Sequence, residues 1–431
     1  MNRLCFIFLF GLIVLNYSCK KDNSGEQANN LIKVVQTEEE YMTEKVFNGA
    51  DGEIVMFCTS IEDRDIPDSY GKNPSLFVRI SPEGDVIARI ALPDIVFNLW
   101  TAVELRNGGY FIAGTGPVAK SEEIGCVIIN SVGTVQSQYT FSNQSSLILS
   151  IDGPLSGVSA LQLNDGRIIL LNSALSGFNQ PIVPRIHVFD ENLNVLQDKL
   201  LYANSIVPNR HQFLMSVSAD NNQDLLLIGR LANYTNDTII HNEVILRVNS
   251  QNYEADYGVK LTDTLWRIPS EMTCSPGNDL IWAYAGPTAA DTNYTTTFNF
   301  RNQERCSIGD KITINSLNTQ TGIITKKSIS GFPKKGFVRA IKACNDGGYI
   351  LTGACNINAN QKIASDYRIL LIKTDASFNL EWMRIPETSN PCIAWDITES
   401  DYGYLLAVTQ LNHRNNNQAA YFHFNKNGFL N

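Results

Sequence analysis

A short pattern recurs seven times along the chain, and it constrains the fold more than any other feature. Each copy has an apolar strand, a tight turn containing Gly or Asp, and a second apolar strand. The clearest copies are residues 102–114 (AVELRNGGYFIAG) and 340–353 (AIKACNDGGYILTG). Weaker copies centre on Asn164-Asp165-Gly166, Gln223-Asp224, Asn278-Asp279 and Tyr402-Gly403, and the first contains Asp51-Gly52. One anchor per copy (Gly52, Gly109, Gly166, Asp224, Asp279, Gly348, Gly403) gives intervals of 57, 57, 58, 55, 69 and 55 residues. Turns scattered at random do not space themselves this evenly. The chain repeats one structural unit seven times.

Each unit has a second half. A third strand is expected at 76–80, 126–130, 185–189, 244–248, 311–314, 368–373 and 421–424. A short turn such as Pro82-Glu83-Gly84 follows, then a fourth strand such as 86–90 or 380–384. Four antiparallel strands repeated seven times is the sequence form of an all-β, seven-bladed β-propeller. Runs such as 225–228 (LLLI) and 369–372 (ILLI) are continuously apolar, as strands covered on both faces are. The seventh unit ends at Asn431 without a fourth strand, while 31–37 (LIKVVQT) is a spare strand ahead of the first unit. It is expected to complete the last blade and so remove the open edges of a partial ring. The alternative is eight blades, with extra strands at 295–300 explaining the long fifth interval; an insertion in blade five is the preferred reading.

The DGGY-hydrophobic-Gly units resemble the repeats of bacterial propellers, including those of Bacteroidota lipoproteins. The resemblance spans 31–431. It implies architecture and leaves activity open, since propellers host enzymes, lectins and scaffolds alike.

The N-terminus carries a separate signal. Arg3 precedes twelve apolar residues, 4–15, too few to span a bilayer but suited to a signal-peptide core. The run ends in Leu15-Asn16-Tyr17-Ser18-Cys19, followed by Lys20-Lys21-Asp22. A small residue before a Cys at this point resembles a bacterial lipoprotein box, looser than the enterobacterial form and similar to that of Bacteroidota. The resemblance implies cleavage before Cys19, lipidation of Cys19, and an outer-membrane lipoprotein displayed at the cell surface. The expected organisation is a signal peptide at 1–18, a lipidated Cys and flexible tether at 19–30, and the propeller at 31–431.

Charge narrows the partners. Lys and Arg total 34 against 43 Asp and Glu, a net charge of −9, with no basic run. This excludes nucleic acid as an expected partner and leaves the lipid anchor as the only membrane contact. A glycan or an envelope protein remains as ligand. The connections between second and third strands are long in every unit, including 231–242 in the fourth, and in a propeller they emerge on one face. Binding is expected there. The candidate ligand-binding residues are Trp100, Arg210, His211, Trp266, Arg267, Trp395 and Asp396, because aromatic faces with a few polar groups suit sugar rings or peptides. Taken one by one, Trp100, Trp266 and Trp395 are read in preference as core plugs between blades.

No catalytic residue, cofactor or metal is expected. There is no GxSxG turn, phosphate loop, dinucleotide fingerprint or CxxC. Asp220-x-Asn222-x-Asp224 resembles the start of a calcium loop but lacks its Gly and distal Glu, so turn chemistry explains it better. The alternative function is a polysaccharide hydrolase or lyase using Asp396, Glu104 or His211 at the channel mouth. Beyond Cys19 there are seven cysteines, open to disulfides in an exported protein or to a reduced state as small core residues.

Overall fold

The apolar second and third strands of each unit find their cover in the neighbouring units. The computed structural model describes residues 33–34, 41–60, 73–116, 123–142, 158–175, 182–201, 211–235, 238–261, 271–286, 297–300, 304–307, 311–329, 336–356, 367–411 and 417–430. They form seven four-stranded antiparallel sheets, each built from strands in sequence order: a seven-bladed β-propeller.

Blade one holds Tyr41–Asn48, Ile54–Ser60, Leu76–Ile80 and Val86–Ala91. Blade two holds Asn98–Glu104, Tyr110–Thr115, Glu123–Ile129 and Val135–Ser142. Blade three holds Ser159–Gln162, Ile168–Leu175, Ile182–Phe189 and Val195–Leu200. Blade four holds His211–Ala219, Leu225–Thr235, Thr238–Val248 and Ala255–Leu261. Blade five holds Thr273–Cys274, Asp279–Gly286, Lys311–Asn318 and Ile324–Ile329. Blade six holds Gly336–Ala343, Tyr349–Asn356, Tyr367–Thr374 and Leu380–Arg384. Blade seven holds Cys392–Ser400, Gly403–Leu411 and Asn417–Asn425, closed by Lys33–Val34.

The eight-bladed alternative is overturned. The long fifth interval is an insertion between the second and third strands of blade five, where Thr297–Phe300 and Glu304–Ser307 pair as a separate hairpin. Blade seven is closed from both ends of the chain. Lys33 pairs with Tyr421 and Val34 with Ala420, as the spare-strand argument expects. In addition, Leu430 bridges Phe424, so the C-terminus supplies the first rung of the outer edge.

The repeat motif has two physical jobs. Its first glycine, Gly108 or Gly347, sits at φ 78° or 84°, the left-handed region that a side chain disfavours. Its second allows close approach. A Cβ on Gly109 would lie 2.5 Å from the Ile129 carbonyl oxygen, and one on Gly348 2.2 Å from that of Thr374. The motif marks where the second strand docks flat against the third.

Packing lies between blades. Each of the seven inter-blade gaps is filled by its own apolar cluster. That between blades seven and one joins Leu405, Ala407 and Tyr421 to Val46, Met56 and Val78. Closing the ring buries this last cluster, which an open array would leave wet. Second strands such as Tyr349–Asn356 and Gly403–Leu411 are buried along their whole length, while outer strands such as Val86–Ala91 and Val195–Leu200 are mostly exposed.

Candidate functional site

The first strand of each blade is innermost, and its edge away from the second strand faces the axis. Five of these strands carry a β-bulge, skipping Glu44, Trp100, Met215, Arg339 and Trp395 in the pairing with the second strand. The bulge re-aims the residue that follows it. Aligned through the second-strand pairing, the seven residues at this position are Lys45, Thr101, Ser159, Ser216, Glu271, Ala340 and Asp396.

Several of them cap the free edge of the next blade. Ser159 Oγ accepts from the Val217 N–H at 3.3 Å, Ser216 Oγ from Met272 N–H at 3.4 Å, and Asp396 Oδ2 from Val46 N–H at 3.3 Å. The last crosses from blade seven to blade one, so the girdle runs over the closure point. A second girdle lies at the short first turns. The backbone N–H groups of Arg106, Asn164, Asn221 and Asn345 donate to Gln162, Gln223, Asn278 and Glu399 of the following blade.

Charge is concentrated on one side of the inner ring. Lys45 of blade one donates to Glu271 Oε1 of blade five, a link between blades three steps apart and therefore across the axis. Lys342 Nζ lies 3.3 Å from Glu271 Oε2 and 3.7 Å from Asp396 Oδ1. The Glu271 N–H donates to the Arg339 carbonyl at 3.1 Å, and the Arg339 guanidinium stands 5.8 Å over the Trp395 ring. Burial alone would raise the Glu271 carboxyl, but the Lys45 and Lys342 ammoniums outweigh it and hold the group well below the usual carboxylate range. Burial would likewise lower Lys342, yet Asp396 and Glu271 hold it above the ordinary lysine value. A carboxylate fixed in this way stays ionised and does not serve as a general acid. The arrangement is a strut across the axis.

The sequence-predicted residues separate. Trp395 is buried in a cluster with Met42, Phe337 and Tyr367, and its indole N–H donates to Thr409 Oγ1 at 2.8 Å. Trp100 is half-buried against the cluster between blades two and three. Asp396 is 2 % exposed and belongs to the strut. His211 begins the inner strand of blade four, opposite Ala232; its side chain, and Arg210, Trp266 and Arg267, lie outside the described residues, as do 1–32 with Cys19. Glu104 lies three positions beyond Thr101, at the short-turn end of blade two's inner strand, and Asp396 lies at the bulge level of blade seven. The two carboxylates do not share an end of the ring. Lys45, Glu271, Lys342 and Arg339 were not singled out from sequence; aligning the seven inner strands on the residue before each turn is the signal that finds them.

The Asp220 turn holds no vacant carboxylate cage. Asp220 Oδ1 accepts from the N–H groups of Asn222 and Asp224, and Arg247 pairs with both Asp220 and Asp224 at 3.1 and 2.8 Å. Among the described residues, no group of three His, Cys, Asp or Glu fits a metal ion. The acidic run Glu62, Asp63, Asp65, Asp68 lies outside them. Cys58, Cys126, Cys274, Cys344, Cys355 and Cys392 are all unbridged, and burial pushes the Cys58 and Cys392 thiols up to about 12.

One expected loop is not a loop. In blade four the second and third strands continue to Thr235 and Thr238 and stay paired to the tip, over the stretch 231–242 expected as an open connection. These strands of 11 residues project beyond the ring on the same face as the blade-five hairpin, whose second strand lies alongside the inner strand of blade six.

No family model matches the chain, and no curated protein does either. Solved structures do. The chain is similar to a protein of unknown function from Dyadobacter fermentans DSM 18053, with TM-score 0.50, 11% identity, and coverage of 90% of this chain and 96% of that one. A protein from Lactobacillus plantarum gives 0.49 and 9%, covering 91% and 94%. The Dos1 propeller gives 0.45 and 8%, covering 91% and 95%. At these identities the likeness concerns the fold alone.

Proposed function

We propose that the protein is a lipid-anchored propeller of the bacterial outer membrane, displayed at the cell surface. It acts as a non-catalytic binding or scaffold module for a glycan, a peptide or an envelope partner. The observation that carries this reading is the one-sidedness of the ring. All seven connections between second and third strands leave on one face, two of them built out as paired strands, while the opposite face carries only tight turns. The scaffold beneath is locked by the axial strut and the two girdles, which suits a rigid platform for variable contacts. The apolar run 4–15 and the Ser18-Cys19 junction support the anchor.

The test uses the full chain, extracted in detergent and screened against glycan arrays and envelope fractions, with product analysis on every hit. Binding without turnover, lost when 297–307 is replaced by a short Gly-Ser link and retained when a short turn is altered, supports the module. Turnover of any bound polysaccharide overturns it.

A further inference from the structure

Exposed apolar side chains gather on the face opposite the long connections. Val86, Val135, Val195 and Leu380 each open the fourth strand of their blade, directly after the short turn, and are 38–44 % exposed. Ile323 and Phe429, 62 % and 51 % exposed, occupy the corresponding turns of blades five and seven. Among the described residues, only Tyr139 of the exposed large apolar side chains lies more than two residues from a short turn. Outer strands are edges, and edges in water usually carry charge. Here one structural position repeats around the ring with an apolar residue. The result is an annulus, which fits a broad plane better than a groove fits a peptide.

The chain itself points to the plane. Lys33 pairs with Tyr421 and Val34 with Ala420, antiparallel to a strand that runs toward the short turns, so Lys33, the N-terminal end of this strand, is its end nearer the short turns. Cys19 precedes Lys33 by 14 residues. The tether expected from the sequence, at that length, would span about 20 Å on average, which would hold the face near whatever Cys19 is attached to. Weak apolar contacts then suffice, because tethering supplies a high effective concentration. The turns also carry Glu83, Asp165, Glu191 and Asp375, which disfavour an anionic surface.

We propose that the short-turn face rests on the interfacial zone of a neutral lipid bilayer, its apolar rim partly inserted, and so holds the long-connection face outward. The proposal depends on the lipid-anchor reading of Cys19. The experiment reconstitutes the acylated full chain into phosphatidylcholine vesicles and maps hydroxyl-radical oxidation by mass spectrometry. A Cys19→Ala chain mixed with the same vesicles is the reference. The expected result is a several-fold loss of oxidation at Val86, Val195, Leu380 and Phe429 on the acylated chain, with the long-connection face unchanged. Protection should fall when phosphatidylglycerol is added. The Val195→Glu/Leu380→Glu chain, folded by circular dichroism, should remain vesicle-bound but lose the protection. Equal oxidation of the rim on an acylated, vesicle-bound chain overturns the proposal alone, as does protection confined to one side of the ring. Absence of acyl chains on Cys19, read from the mass of its peptide, overturns the anchor reading and the proposal with it.

Discussion

Replacing Glu271 with Gln removes the one anion that two lysines share across the axis. At 3.3 Å from Lys342 Nζ, a unit charge pair at an effective dielectric of 20 is worth about 5 kcal/mol. Glu271 and Lys342 side chains keep 26% and 36% of their exposure, so water screens part of this. The amide still accepts one hydrogen bond. Against that, Lys45 and Lys342 are left facing each other beside a single remaining carboxylate, Asp396. Breaking a buried pair from one side costs about 3–5 kcal/mol, and the exposure places Glu271→Gln near about 3. For a chain of this size that is a fall of roughly 4 °C in Tm. The assay is thermal unfolding of the wild type, Lys45→Met, Glu271→Gln and the double variant at pH 7. The double should lose less than the sum of the singles, with a coupling of about 1–2 kcal/mol. A Glu271→Gln chain within about 0.5 kcal/mol of wild type, or singles that simply add, would falsify the strut.

Three further expectations follow from the same geometry. His187 is packed between Phe141 and Phe189, with Asp198 Oδ1 at 3.6 Å from Nδ1 and Arg185 beside it; burial moves it from its ordinary 6.5 to about 4, against the pull of Asp198. Between those values the unfolded chain takes up a proton that the folded chain refuses. Stability is therefore full above pH 6.5 and drains by about 3 kcal/mol as pH falls to 4; a His187→Gln chain should show a flatter urea-midpoint profile over that window, and an unchanged profile refutes the assignment. Arg247→Met leaves the Asp220 and Asp224 carboxylates without their cation and should cost about 2–3 kcal/mol at pH 7; a loss below about 0.5 kcal/mol by urea unfolding would count against it. Gly428 sits at φ 76° with the Trp382 ring 2.6 Å from where a Cβ would stand, so Gly428→Ala should cost about 2 kcal/mol and speed amide exchange at 420–424; unaltered exchange there means that the C-terminal rung does not hold blade seven.

The blade count, the four-strand unit and the closing role of the N-terminal strand were legible because each follows from local chemistry repeated at a fixed interval. A left-handed glycine and a close-approach glycine make the same turn wherever they occur, as at Gly108-Gly109 and Gly347-Gly348. Apolar runs on both sides of that turn need cover, and a closed ring is the way seven copies supply it to one another. The extension of blade four was hidden for the opposite reason: 231–242 reads as polar connection, yet its strands are held by backbone pairing that carries no side-chain signature. Tertiary structure alone decided the axis. A bulge shifts the inner-strand register by one residue, and a shift of one turns a side chain to the other face. It thereby aims Lys45 and Asp396 inward and sets Trp395 into the core. Glu271, 226 residues from Lys45, becomes its partner only because the ring brings blade five opposite blade one, a distance along the chain that no local pattern spans.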